Sequence, residues 1–204
     1  IFAISVDEYN PLKNRQAGRI LSFGMIALIC LNLPANLHYK WENMFLFRII
    51  SGPREPSMEK TDHYLVPLMN SFVELWDPGV YLTRTAKYPA GRVIRCALVP
   101  FVADMKASRK LAGSRQCGLC DIERDKLRAG TLLDPKEFPR KTNEEYRAKA
   151  TLWRNAVTLA SRDTFYREKG IRWTPFLLLP YWDPTRITVV DVMHALLEGI
   201  VQTH

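Results

Sequence analysis

A mixed α/β fold is predicted by three features of the sequence. Residues 1–53 carry three β-rich apolar runs separated by turn signals. The period then changes to that of an amphipathic helix, and another apolar run follows it. Beyond Ser114 the chain turns charged and helical, with few β-like runs.

The run "IFAISVDEY" reads as a strand, with Ile4 and Val6 on one face and Asp7 near its end. "NPLKNRQAG" is a turn, started by Asn-Pro and closed by Gly18. "ILSFGMIALICLNLP" reads as a second strand ended by Pro34, and "MFLFRIISGP" as a third ended by Gly52-Pro53. Short links make an antiparallel meander of these three. Ser57 then caps a helix, with Glu59 in its first turn and Pro67 a point where it would kink. Tyr64, Leu65, Leu68, Met69, Phe72, Val73, Leu75 and Trp76 form its apolar stripe, and Asp77-Pro78-Gly79 stops it. A polar loop, "TRTAKYPAGR", leads to a fourth strand, "VIRCALVPFVAD". "MKASRKLAG" follows as a helix closed by Gly113.

Residues 1–113 thus read β-β-β-α-β-α. This is the order of a ribonuclease H-like core, in which an antiparallel meander continues through a helix into a further, parallel strand. Thr142 and Glu145 form a capping box for a helical stretch reaching Gly170. "LLLPYWDPTR" is a turn region, and "ITVVDVMHALLEGIVQTH" a terminal helix with room for a short strand before it. The expected organisation is a ribonuclease H-like core over 1–113, a mainly helical insertion over 114–183, and a C-terminal helix over 184–204 that completes the core. The five tryptophans are expected to pack rather than to stack on bases.

No run reaches the ~18–20 apolar residues of a membrane span, so no membrane partner is expected. Residue 1 is Ile and the acidic pair Asp7-Glu8 follows closely, which argues against a secretory leader and for a fragment. The 29 Lys and Arg outnumber the 21 Asp and Glu, for a net charge of +8, which suits a polyanionic partner. Cys30 and Cys96 lie in apolar runs and read as small hydrophobes. The cysteine usage is not that of a secreted disulfide framework, so a reducing compartment is expected.

Three constellations could carry chemistry. Asp7 ends the first strand and Asp104 the fourth, and in the expected fold these strands lie side by side. Two carboxylates there repel unless a cation lies between them, and Mg²⁺ takes such oxygen ligands together with phosphate and water. On the terminal helix Asp191, His194 and Glu198 share one face, so Asp191 is the expected third acid with Glu198 in reserve. Asp104 and Asp191 read equally as helix N-caps, and His194 and Glu198 as ordinary side chains. Second, Cys117-Gly-Leu-Cys120 is half of a tetrahedral zinc site, a redox pair or a coincidence. His194, His204, His63 and Asp121 are candidates to complete it. Third, Lys106, Arg109 and Lys110 share a helix face directly after Asp104, where they would grip phosphates or simply meet solvent. Lys13, Arg15, Arg19, Arg92 and Arg95 add to this basic set.

Several blocks carry a resemblance: "VDEYNPLKNRQAG", "ENMFLFRIISGPREPS", "ELWDPGV", "GRVIRCALVPFVADMKASRKLAG", "CGLC" and "LPYWDPTRITVVDVMHALLEG". In this order they resemble CACTA-type (En/Spm-like) DNA transposases, in the version abundant in mushroom-forming fungi, over nearly the whole chain. The resemblance implies a DDE/DDD-type cut-and-paste catalytic domain that cleaves DNA and transfers strands with Mg²⁺ or Mn²⁺. It implies Asp7 and Asp104 as the first two acids. It also implies zinc on Cys117 and Cys120 with histidines further on, and leaves "DVMH" to supply either the third acid, Asp191, or a zinc ligand, His194. Double-stranded DNA as partner, a nuclear location and room for a homo-oligomer on DNA follow from the same likeness. Only Ser114-Arg115-Gln116 separate "KLAG" from "CGLC", fewer than the family leads one to expect. No N-terminal DNA-binding region is present, so a truncated or inactive copy is an expected variant of this reading. The rival expectation is a non-catalytic, transposase-derived module that binds nucleic acid or protein.

Overall fold

The computed structural model describes residues 1–9, 23–52, 56–115, 120, 134, 136 and 138–191. Its strands and α-helices are β1 (Phe2–Tyr9), β2 (Phe23–Cys30), β3 (Met44–Ser51), α1 (Met58–Trp76), β4 (Val80–Leu82), β5 (Arg92–Ile94), β6 (Leu98–Ala103), α2 (Met105–Ala112), α3 (Asn143–Asn155), α4 (Leu159–Lys169) and β7 (Thr188–Val190). The principal sheet is mixed and five-stranded, in the order β3-β2-β1-β6-β7. The chain forms two compact units: Ile1–Val102 with Leu178–Pro180, and Ala103–Leu177 with Tyr181–His204.

The first unit holds the meander. β1 pairs antiparallel with β2, and β2 with β3. β1 also pairs in parallel with β6, with Ile4 opposite Phe101 and Ser5 opposite Val102. The period-2 alternation of β1 sends Ile4 and Val6 into the core and leaves Asp7 exposed. β2 buries Ile26 through Ile29 without alternation, as a strand covered on both faces does. β3 is an edge strand with Phe45, Leu46 and Ile49 exposed.

Ser57 caps α1, its hydroxyl accepting the Lys60 N–H at 3.4 Å. Half of the stripe expected from the sequence is buried: Leu65, Leu68, Met69 and Phe72 lie inward, Tyr64, Val73 and Leu75 are half-buried, and Trp76, expected to pack, is exposed at the helix end. Each such side chain is worth about 1.5–3 kcal/mol when fully buried. Phe72 meets Phe2 edge-on, ring centroids 5.9 Å apart. The helix runs on through Pro67 to Trp76.

Two expectations need correction here. "TRTAKYPAGR" is not simply a loop but the turn of a hairpin, because β4 and β5 pair antiparallel in a sheet of their own. "VIRCALVPFVAD" is accordingly two strands, β5 and β6, serving different sheets. Trp41, expected to pack, is 86% exposed, because it opens the 3-10 turn Trp41–Asn43 between β2 and β3.

In the second unit Gly113 closes α2 at φ +83, where an added Cβ would sit 2.6 Å from the Arg172 carbonyl oxygen. Thr142 caps α3 by accepting the Glu145 N–H at 3.2 Å, one half of the capping box expected there. The helical stretch does not reach Gly170 unbroken. It stops at Asn155 and restarts at Leu159, because Thr158 and Ser161 form a capping box. Tyr146, Ala150 and Ile171 pack together with Trp173 and Leu177 against them. Phe176 stacks on Trp182 at 4.5 Å.

Candidate functional site

Within the first unit β1 and β6 pair in parallel, and two of the sequence-predicted acids lie a short way along the chain from that pairing. Ser5 lies opposite Val102. Asp7 is two residues beyond Ser5, and Asp104 two residues beyond Val102. Each therefore falls at the C-terminal end of its strand.

Asp104 caps α2. Its Oδ1 accepts the Ala107 N–H at 2.6 Å, and its carbonyl accepts the Ser108 N–H at 2.8 Å. The capping role proposed from sequence is real, and it orients a half-buried carboxylate whose Oδ2 has no partner among the described residues. Ser108 supports the same corner by donating to the Ala103 carbonyl at 3.2 Å.

Asp191 immediately follows β7, and its N–H donates to the Ala103 carbonyl at 3.0 Å. The backbone thus brings Asp191 beside the residue that precedes Asp104. The short strand allowed for before the terminal helix is β7. His194 and Glu198 lie outside the described residues.

The zinc reading falls mostly outside them as well, since Cys117, His204 and Asp121 are not described. Cys120 is buried, and its backbone bridges to Arg140. Among the described residues, no group of three or more His, Cys, Asp or Glu side chains is gathered to hold a metal ion. Lys106 and Arg109 are exposed on α2 and Lys110 is half-buried. Arg92 lies on β5, and Arg95 just after it.

Sequence reasoning missed two arginines that shape the second unit. Arg172 is buried and donates to the carbonyls of Lys110 at 2.7 Å and Trp173 at 2.8 Å, which holds the end of α2. Arg147 donates to Asn143 Oδ1 and to the carbonyls of Leu177 and Trp182. Burial lowers its pKa, against an upward pull from Asp183. No local motif announces either residue.

A family model described as "Transposase family tnp2" matches residues 2–129. The chain belongs to that family. The match contains Asp7, Asp104 and the basic face of α2, while Asp191 lies beyond it. Membership in the tnp2 transposase family gives the chain a transposase-related function and, with it, an involvement with DNA. A search of curated proteins finds no match. Among the described residues no helix is long and apolar enough to cross a membrane.

Proposed function

We propose that the chain is the catalytic domain of a CACTA-type cut-and-paste transposase of the fungal kind, built on a ribonuclease H-like core. The observation that carries this reading is the β1–β6 register, with an acid two residues past each partner of the Ser5–Val102 pair. The sheet order supports the fold, since an antiparallel meander continues through α1 into a strand parallel to β1.

The donor set fits a hard divalent cation. Asp7 is exposed, and the cap on Asp104 occupies only Oδ1. Mg²⁺ needs only one or two protein carboxylates besides phosphate and water. Asp7 and Asp104 would hold Mg²⁺ or Mn²⁺, with Asp191 as third acid through its tie to Ala103. The cation would supply an activated water and neutralise charge on the phosphodiester. The chain's own part is positional: the α2 cap fixes the Asp104 carboxylate, and the face of Lys106, Arg109 and Lys110 draws in the DNA backbone. Zinc on Cys117, Cys120 and His194, work on double-stranded DNA in the nucleus, and a homo-oligomer on DNA complete the proposal.

The test is cleavage of labelled duplex DNA by the chain with Mg²⁺ or Mn²⁺, alongside Mn²⁺ binding followed by electron paramagnetic resonance. Asp7→Ala and Asp104→Ala should each lower cleavage at least ~100-fold and weaken Mn²⁺ binding. DNA affinity retained in wild type and both variants, with cleavage in none, would replace the enzyme by a binding module.

A further inference from the structure

The β4–β5 hairpin is a ribbon without a core beneath it. Val80, Tyr81 and Leu82 on β4 are all exposed, as are Arg92 and Val93 on β5. Successive residues on a strand face opposite sides, so both faces of the ribbon are largely exposed, with Ile94 alone among the strand residues half-buried. A two-stranded ribbon is marginal in water by itself. This one is fastened at both ends. At its base Arg95 pairs with Asp77 at 3.0 Å and donates from Nε to the Pro78 carbonyl, while the Cys96 N–H reaches the Leu75 carbonyl at 2.8 Å. At its tip the Tyr81 hydroxyl donates to the Ala90 carbonyl at 2.6 Å, and Thr85 and Tyr88 exchange hydrogen bonds. Gly91 turns the chain at φ +79, where an added Cβ would clash with the Leu82 carbonyl.

The charge on the ribbon is of one sign. Between Pro78 and Cys96 stand Arg84, Lys87, Arg92 and Arg95, with no Asp or Glu, and all four cations are exposed. Arg92 lies over the Tyr88 ring at 4.4 Å and Lys87 at 5.9 Å. A guanidinium held on an aromatic face loses less freedom when it meets a phosphate. A cleft of about 680 Å³ runs alongside, lined by Asn32, Thr85, Lys87, Tyr88, Arg92 and Arg95 among others.

We propose that this ribbon is a docking arm for duplex DNA, separate from the candidate acids. Arg84, Lys87 and Arg92 take the phosphates, while Arg95, paired with Asp77, braces the base. A two-stranded ribbon fits the major groove of B-DNA, and the exposed Val80 and Leu82, which share one face of β4, give it an apolar surface to lay against the bases. The choice of DNA among polyanions rests on the transposase reading; the location of the arm rests on its charge and exposure.

Binding is measured on the 204-residue chain with a labelled random-sequence duplex, by fluorescence anisotropy across a salt series with Ca²⁺ in place of Mg²⁺ and Mn²⁺. The readout is binding and not cleavage, so failure of the catalytic proposal leaves this result standing. The triple variant Arg84→Gln/Lys87→Gln/Arg92→Gln should bind at least ~10-fold more weakly near 100 mM salt, with a log–log salt slope smaller by about 2–3. A control of equal charge change, Lys60→Gln/Lys136→Gln/Lys169→Gln, should lose less than ~3-fold. Arg84→Lys/Arg92→Lys should keep most of the affinity, which guards against misfolding as the cause. Equal losses in the two triples, an unchanged slope, or tighter binding of a single strand than of the duplex would overturn the proposal.

Discussion

The two compact units are held by different chemistry. The first relies on apolar side chains delivered at regular periods: Ile4, Ile26, Leu65, Met69, Leu98 and Phe101 are fully or almost fully buried. The second adds buried and half-buried polar side chains that reach backbone carbonyls far along the chain. Tyr146 ties to Ala112, Arg172 to Lys110, and Arg147 to Leu177 and Trp182. α4 buries no residue at all and is held by its capping box, by Arg162 and by its Gly170 end. A periodic apolar pattern announces itself in sequence, whereas a tie from one side chain to a distant carbonyl does not.

Substitutions can break this contrast. The largest effect is expected at Phe101→Ala, which should lower unfolding free energy by about 3–5 kcal/mol in a urea titration. Arg172→Met should follow at about 2–3 kcal/mol, since the carbonyls of Lys110 and Trp173 lose their donor. A loss below about 1 kcal/mol would show that the guanidinium decorates the second unit rather than holding it.

Tyr146→Phe comes next, at about 1–2 kcal/mol near neutral pH. Its signature lies in the pH dependence. Burial pushes the Tyr146 phenol well above its ordinary value, so the native state keeps a proton that the unfolded chain releases from about pH 10. Stability from this group is fully present below pH 10 and falls as pH rises above it, by at most about 1.4 kcal/mol per unit. Burial raises Tyr166 too, against Arg172, Arg115 and Arg109, so the alkaline decline in Tyr146→Phe should become shallower without vanishing. An identical decline in wild type and variant would remove Tyr146 from the account.

The smallest effect on folding sharpens the contrast most. Asp104→Ala should cost about 1 kcal/mol through the lost cap, whereas Asp104→Asn, an equally good cap, should leave stability within about 0.5 kcal/mol. Cleavage should fall in both. If Asp104→Asn cleaved DNA normally, the carboxylate would be a cap and nothing more.

What could be read in the sequence follows the same line. β1, β2, β3 and α1 were legible because period, proline and Ser57 are local signals. α2 was legible from Asp104 to Gly113 for the same reason. The β4–β5 ribbon was not, because exposure on both faces erases the alternation that marks a half-buried strand. The break between α3 and α4 was hidden by residues that continue the helical texture, and only Thr158 and Ser161 marked it. At the candidate site the cap at Asp104 was legible, but that Asp191 would meet Ala103 through a backbone bond was not, because β7 is three residues long.

The cap on α2 has a bearing on how copies of such an element age. A lineage that has ceased to transpose would still favour an acceptor ahead of Ala107, because the helix start depends on it. The acid at 104 would then outlive the reaction proposed for it, and drift to asparagine there would leave the fold silent while ending the proposed chemistry.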